Sequence, residues 1–231
     1  MCGRYTLYHS KELKDRYSLG GTENTKLLSE IKDRYNIAPS QTSVVIVQSE
    51  DGSPQIKLMK WGFMPPWGKD PKDIFKYSTF NARAEGIFEK TMWKGAIKHH
   101  RCLIPSTGFY EWQKRDDGKQ PFLIKPEHEE IFSFAGIYSN WKDSDGNEWG
   151  TYSIITTTPN SQMESIHNRM PVILPRDVEM TWIDVSLDDP DAIMEFLKPF
   201  SEDKLEIFEV SRDVNAAKVD GSALVIPINS K

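Results

Sequence analysis

The 231-residue chain predicts an α+β fold: one domain built on a mixed, mostly antiparallel sheet, curved or barrel-like, with flanking helices. Strand-like runs outnumber helical ones, strict strand-helix alternation is missing, and two Asp/Gly-rich tips have the form of hairpin turns. In chain order, Lys26 to Tyr35 carries helical spacing (Leu27, Leu28, Ile31), and Ser43 to Gln48 and Gln55 to Trp61 read as strands. After Asn81, the apolar residues Ala84, Ile87, Phe88, Met92 and Trp93 recur at helix spacing, and His99 and His100 fall at a helix end. Further strands are expected at Arg101 to Ile104, Gly108 to Gln113, Pro121 to Lys125, Ile131 to Tyr138, Thr151 to Thr157, Pro171 to Leu174, Glu206 to Val210 and Ala223 to Ile228. The tips are Asp116-Asp117-Gly118 and Asp145-Gly146-Asn147. No repeat, low-complexity tract or linker divides residues 1–231, so the acidic segment 181–231 is read as part of the same domain.

A mean hydropathy of -0.55 and apolar runs no longer than strands exclude a membrane span, which needs ~20 apolar residues. The N-terminus lacks the apolar stretch of a signal peptide, and two cysteines, Cys2 and Cys102, imply no disulfide framework. A cytoplasmic monomer is therefore expected, nucleoid-associated if bacterial. Five scattered histidines and two cysteines provide no zinc spacing, so neither metal nor cofactor is expected. The net charge of -5 argues against a broad nucleic-acid binder. Its distribution is uneven: residues 181–231 hold 11 acidic and 5 basic residues, whereas Lys76 to Arg101 carries +4 through Lys76, Arg83, Lys90, Lys94, Lys98 and Arg101 against Glu85 and Glu89. That segment is either a local basic face for an anionic ligand or the solvated side of an amphipathic helix.

Four segments carry chemistry. Once Met1 is removed, Cys2 is a 1,2-aminothiol, with an amine near ~7.7–8.0 and a thiol near ~8.5. Such a pair captures aldehydes, first as a Schiff base and then as a five-membered thiazolidine; the alternative is an incidental cysteine at a frayed end. Asn81 sits where a helix cap would be. Arg83 then falls in the first turn, either as an anion ligand or paired with Glu85. In Arg101 to Trp112 an apolar strand turns through Pro105 and Gly108 and places Glu111 between Tyr110 and Trp112. A carboxyl desolvated among rings has the raised pKa of a general acid; a strand-face Glu pointing outward is the other reading. Finally, His167 follows a short helical stretch and stands two residues before Arg169, a proton carrier beside a phosphate-type donor. His9 and His128 are expected to be exposed.

Together these boxes, Met1-Cys2-Gly3-Arg4-Tyr5-Thr6, Asn81-Ala82-Arg83-Ala84-Glu85, Arg101-Cys102 to Glu111-Trp112 and His167-Asn168-Arg169-Met170-Pro171, resemble the SRAP family of SOS response-associated peptidases. Trp61-Gly62-Phe63 and Pro66-Trp67 fall in the same order, so the resemblance spans residues 2–171. It implies a sensor and shield of abasic sites in single-stranded DNA that forms a covalent cross-link through Cys2. It further implies that Asn81 orients the terminus, that Glu111 moves protons, and that His167 assists sugar opening. Arg4, Arg83 and Arg169 would hold phosphates, Trp67 would stack on a base, and Ile37-Ala38-Pro39-Ser40 would lie near the pocket. Two rival functions stand beside it: a thiol autopeptidase that releases its own Met1 through Cys2, His167 and Glu111 or Asn81, and a non-catalytic single-strand binder using Trp61, Trp67, Arg83 and Arg169.

Overall fold

The computed structural model describes residues 2–65, 67–70, 72–143 and 145–228, with Ile74 and Phe75 described by backbone alone. Met1 and Pro66, both part of the motifs above, lie outside the described residues. Among the described residues, thirteen strands are formed: β1 (Arg4–Leu7), β2 (Arg34–Ile37), β3 (Thr42–Gln48), β4 (Pro54–Trp61), β5 (Asn81–Arg83), β6 (Arg101–Ser106), β7 (Gly108–Arg115), β8 (Gly118–Pro126), β9 (Phe132–Lys142), β10 (Glu148–Thr157), β11 (Met170–Pro171), β12 (Ile173–Leu174) and β13 (Leu205–Glu209). Helices are short: α1 (Leu13–Arg16), α2 (Thr22–Glu30), α3 (Asp73–Lys76), α4 (Lys94–His99), α5 (Ser161–Glu164), α6 (Glu179–Ile183) and α7 (Pro190–Glu195).

Strands β3, β4, β10, β9 and β6 pair in a closed ring, all antiparallel except β4 with β10. Residues 43–47 of β3 are buried on both pleat faces, which is why this strand reads as an unbroken apolar run rather than an alternation. A second sheet runs β13-β8-β7-β1-β2. Thr107 alone separates β6 in the ring from β7 in the second sheet, and its hydroxyl bonds Thr6 of β1 at 2.8 Å. Tyr5 of β1 is fully buried between the two sheets, its hydroxyl 2.7 Å from that of Tyr152 and its ring edge-on to Trp61 at 5.2 Å. The residue that precedes β1 by two, Cys2, is thereby carried to the junction.

Three expected elements form differently. Residues 81–83 add to β10 as a parallel strand, Ile154 opposite Asn81 and Thr156 opposite Arg83, instead of capping a helix. The open edge of β10 beyond its pairing with β4 takes these residues, and Gly86, at φ 74°, breaks any helix started from them. The apolar spacing still buries Ala84, Ile87 and Trp93, in turns that lead into the later, shorter α4. The helix expected at Lys26 to Tyr35 is α2, which ends at Glu30, because Arg34 and Tyr35 belong to β2, which pairs with β1. Residues 222–225 wind into a 3-10 turn in place of a strand, leaving one bridge between Val210 and Pro227. Both hairpin tips form, joining β7 to β8 and β9 to β10. No helix among the described residues is long and apolar enough to cross a membrane.

Arg101 departs from the expected basic face. It is 1% exposed, and its guanidinium donates to the carbonyls of Ile97, Lys98, Trp182, Asp184 and Leu187 at 2.5–3.0 Å. A cation can be buried here because five carbonyl dipoles replace its water. Lys76, Lys90, Lys94 and Lys98 do remain exposed. Three of the five carbonyls come from residues after Thr181, so the acidic end is tied to the barrel through Arg101.

Candidate active site

Strand β1 runs antiparallel to β7 with Arg4 opposite Tyr110 and Thr6 opposite Gly108. Continuing that register sets Gly3 opposite Glu111, so the terminal segment and the acid arrive at one place from positions remote in sequence. Cys2 is fully buried, and its thiol lies 3.7 Å from the Arg4 carbonyl. Burial pushes that thiol far above the ordinary range, and the charge of Glu111 acts in the same direction. From the ring, β5 supplies Asn81, whose Nδ2 donates to the Cys2 carbonyl at 2.9 Å. Asn81 Oδ1 is buried with no hydrogen-bond partner among the described residues.

Glu111 is 2% exposed, and burial pushes its carboxyl up to about 7. Tyr110 and Trp112 belong to a separate cluster with Val210, Val214 and Leu224, and the two-residue period of a strand puts Glu111 on the opposite face, toward Cys2.

His167 lies in the turn between α5 and β11. His167 Nδ1 stands 3.1 Å from the Arg169 backbone nitrogen and 3.2 Å from the Arg169 carbonyl; in the neutral ring whose Nδ1–H donates to that carbonyl, Nε2 is the basic nitrogen. Burial lowers its pKa below the usual histidine value, favouring that neutral form. The Arg169 guanidinium is clamped by Glu85 through two bonds of 2.7 and 2.8 Å and also donates to the Thr156 carbonyl at 2.6 Å. Glu85 therefore pairs with Arg169 and not with Arg83, and this partner holds its carboxyl below the usual range.

Two clefts flank Cys2. Arg4, Glu111 and His167 line one of about 420 Å³, together with Trp112, Lys114, Lys119 and Asn215. Asn81 and Arg83 line the other, about 480 Å³, with Trp67, Tyr77, Lys90 and Trp93 among its walls. Trp67 is 44% exposed and Arg83 is exposed without an ion pair among the described residues. Trp61, by contrast, is fully buried, with its indole N–H on the Phe80 carbonyl, and offers no surface for stacking. None of residues 37–40 is among the described residues lining either cleft; the Ser40 N–H instead bonds the Trp61 carbonyl at 2.7 Å.

Lys114 and Lys119 carry no motif that marks them in the sequence. They stand directly opposite each other in the β7–β8 ladder, a like-charge pairing that costs stability and suits an anion in the cleft. Their equal spacing about Asp116-Asp117 at the hairpin tip is the one signal that could have found them. Among the described residues, His9, Glu12 and Glu130 bring potential metal ligands within 4.8 Å of one another, all exposed and outside both clefts.

Comparison with known proteins finds relatives along nearly the whole chain. The sequence profile described as SOS response associated peptidase (SRAP) matches residues 1–217. The chain is 39% identical over 227 residues to abasic site processing protein YoqW of Bacillus subtilis, covering 97% of this chain and 99% of the relative. It is 31% identical over 206 residues to abasic site processing protein HMCES of Gallus gallus, covering 79% of this chain and 61% of that protein. A crystal structure of a Bacteroides thetaiotaomicron protein superposes with a TM-score of 0.87 at 30% identity, covering 98% of this chain and 99% of the other.

Proposed function

Because this chain belongs to the family of SOS response associated peptidases (SRAP), we propose that it senses abasic sites in single-stranded DNA and captures them as a thiazolidine on Cys2. The observation that carries the reading is the meeting of Cys2 with Asn81 on one side and with Glu111, poised near neutrality, on the other. Relatives covered along almost their whole length are named abasic site processing proteins, which supports DNA-damage processing as the activity.

The chemistry starts with loss of Met1, which gives Cys2 a free amine. Neutral His167 takes the proton of the anomeric hydroxyl, and the deoxyribose ring opens to its aldehyde with protonation of the ring oxygen. The Cys2 amine adds to the aldehyde carbon, forming a C–N bond. Protonated Glu111 donates to the resulting hydroxyl, which leaves as water and yields the Schiff base. Glu111, now a carboxylate, takes the thiol proton, and the sulfur closes onto the carbon of the protonated Schiff base while the C=N electron pair returns to the nitrogen, which keeps its proton. The sum is aldehyde plus aminothiol giving thiazolidine plus water. A raised thiol pKa makes this base necessary, since little thiolate exists at rest. Asn81 holds the Cys2 carbonyl so that amine and sulfur present themselves to one carbon.

Arg83, Arg4 and the Lys114–Lys119 pair supply cations for phosphates in the two clefts, and Trp67 a face for an unpaired base. Arg169 acts through its grip on Glu85 and its backbone contact with His167. Neither a metal nor a cofactor enters the scheme, and a single chain supplies every group in it. The autopeptidase alternative uses the same Cys2 and His167 but needs a peptide bond, not an aldehyde, at the thiol. Intact mass and denaturing electrophoresis, with abasic and undamaged single strands, separate the two. A stable adduct requiring both the abasic site and a free Cys2 terminus supports capture; no adduct from protein lacking Met1 overturns it.

A further inference from the structure

The β9–β10 hairpin carries two tryptophans that the chemistry above leaves unused. Trp141 and Trp149 are directly opposite in the ladder, so their indoles share one face. Each indole N–H is engaged by the protein itself, Trp141 with the Gly68 carbonyl at 2.9 Å and Trp149 with the Asp143 carboxylate at 3.1 Å. The rings are thus fixed in place, half-buried, with flat faces rather than polar edges on offer. They line a cleft of about 630 Å³ whose walls include Lys57 and the exposed Leu58. The Lys60 ammonium sits 4.7 Å from the Trp149 ring centre. Lys142 and Glu148, at 3.0 Å, neutralise each other, whereas Lys57 and Lys60 have no carboxylate partner among the described residues.

We propose that this cleft is a second stacking subsite for bases of the same single strand that occupies the Trp67 cleft. The proposal rests on the DNA reading above. Three features select a nucleic-acid strand as occupant. The surplus charge is positive, as a phosphate backbone requires. Fixed aromatic faces bind bases of any identity, as a lesion sensor needs for flanking sequence. The cleft also adjoins the segment that carries Trp67: Gly68, whose carbonyl holds the Trp141 indole, directly follows Trp67, which lines the Asn81 cleft.

The test is fluorescence anisotropy with undamaged, unreactive oligothymidylates of graded length, run beside adduct formation on a short abasic strand. Expected for the unmodified protein is a step in affinity once the strand is long enough to leave the first cleft. Trp149→Ala should abolish that step, weakening the longest strand at least about fivefold, since stacking on one aromatic is worth that much. Lys60→Glu, which reverses the charge beside the Trp149 ring, should do likewise, and both variants should keep the adduct rate on the short strand. Length steps unchanged in both variants would overturn the subsite and leave the groove to another ligand class, such as a protein. Adduct formation without any length step would overturn the subsite alone. Absence of both binding and adduct in the unmodified protein would overturn the DNA reading together with it.

Discussion

Asn81 donates from Nδ2 to the carbonyl of Cys2 at 2.9 Å, joining residues 79 positions apart. The bond fixes the terminal residue against β5, and its loss leaves a carbonyl in a buried pocket without its donor. Asn81→Ala should slow single-turnover adduct formation about tenfold, the equivalent of one such hydrogen bond. Asn81→Asp should be worse, because a carboxylate would face the carbonyl with no proton to give. Equal rates in both variants and the unmodified protein would remove Asn81 from the mechanism.

The two nucleophiles of Cys2 can be separated. Cys2→Ala keeps the α-amine and loses the sulfur, so it should form a Schiff base that dissociates on denaturing gels. Borohydride, which reduces the imine to an amine, should make that adduct permanent. The unmodified protein should need no reductant. A permanent Cys2→Ala adduct without borohydride would show that the sulfur is not part of the stable link.

Burial pushes Glu111 up to about 7 from an ordinary value near 4.5. Between those limits the native carboxyl keeps a proton that the unfolded chain has released, so stability falls as pH rises through the window and levels off above it. Glu111→Gln should remove this slope, a difference on the order of 3 kcal/mol between the ends of the window. Denaturant melts at several pH values check it. In the same variant, adduct formation should fall at all pH values and lose the decline above about 7 that reports the acid.

Arg101 holds five carbonyls from inside the protein. Arg101→Lys keeps the charge but cannot span those acceptors, leaving several buried oxygens unpaired. A loss of roughly 3–5 kcal/mol in unfolding free energy is expected, read by urea titration. A loss below about 1 kcal/mol, roughly that of a surface pair, would contradict the burial.

Arg83 is an exposed cation of the Asn81 cleft, beside Lys90. Arg83→Glu should weaken binding of undamaged single strands and flatten the dependence of log affinity on log salt by roughly 0.7 for each phosphate that is no longer neutralised. Arg169→Lys should act differently: by breaking the paired bonds to Glu85 it should lower thermal stability and adduct rate together, with little change in the salt slope.

The reach of local pattern is clear from particular residues. Strand β3 was legible because Val44 to Val47 is apolar without interruption, and β7, β8, β9 and β10 because turn residues bound them. Strand β1 was not: Arg4-Tyr5-Thr6-Leu7 is short and its alternation weak, and it becomes a strand only between β2 and β7. The spacing of Ala84, Ile87 and Trp93 correctly marked buried side chains and wrongly implied a helix, because burial is recorded in the sequence whereas the free edge of β10 is not.

The chemistry of single residues was likewise present in the sequence: an aminothiol at the terminus, a carboxyl and an imidazole in distinctive settings, and cations around them. Composition and motif order sufficed for the fold class and the family. What only the tertiary structure decided was which groups meet. Closure of the five-stranded ring brings β5 to β10, and the Thr107 corner swings β7 into the second sheet, so that Asn81 and Glu111 reach Cys2 from opposite sides. The same closure gave Glu85 to Arg169 and buried Trp61 and Arg101. Such pairings depend on segments far apart in the chain, whose mutual free energy arises only when the sheets pack and water leaves; no local spacing encodes them.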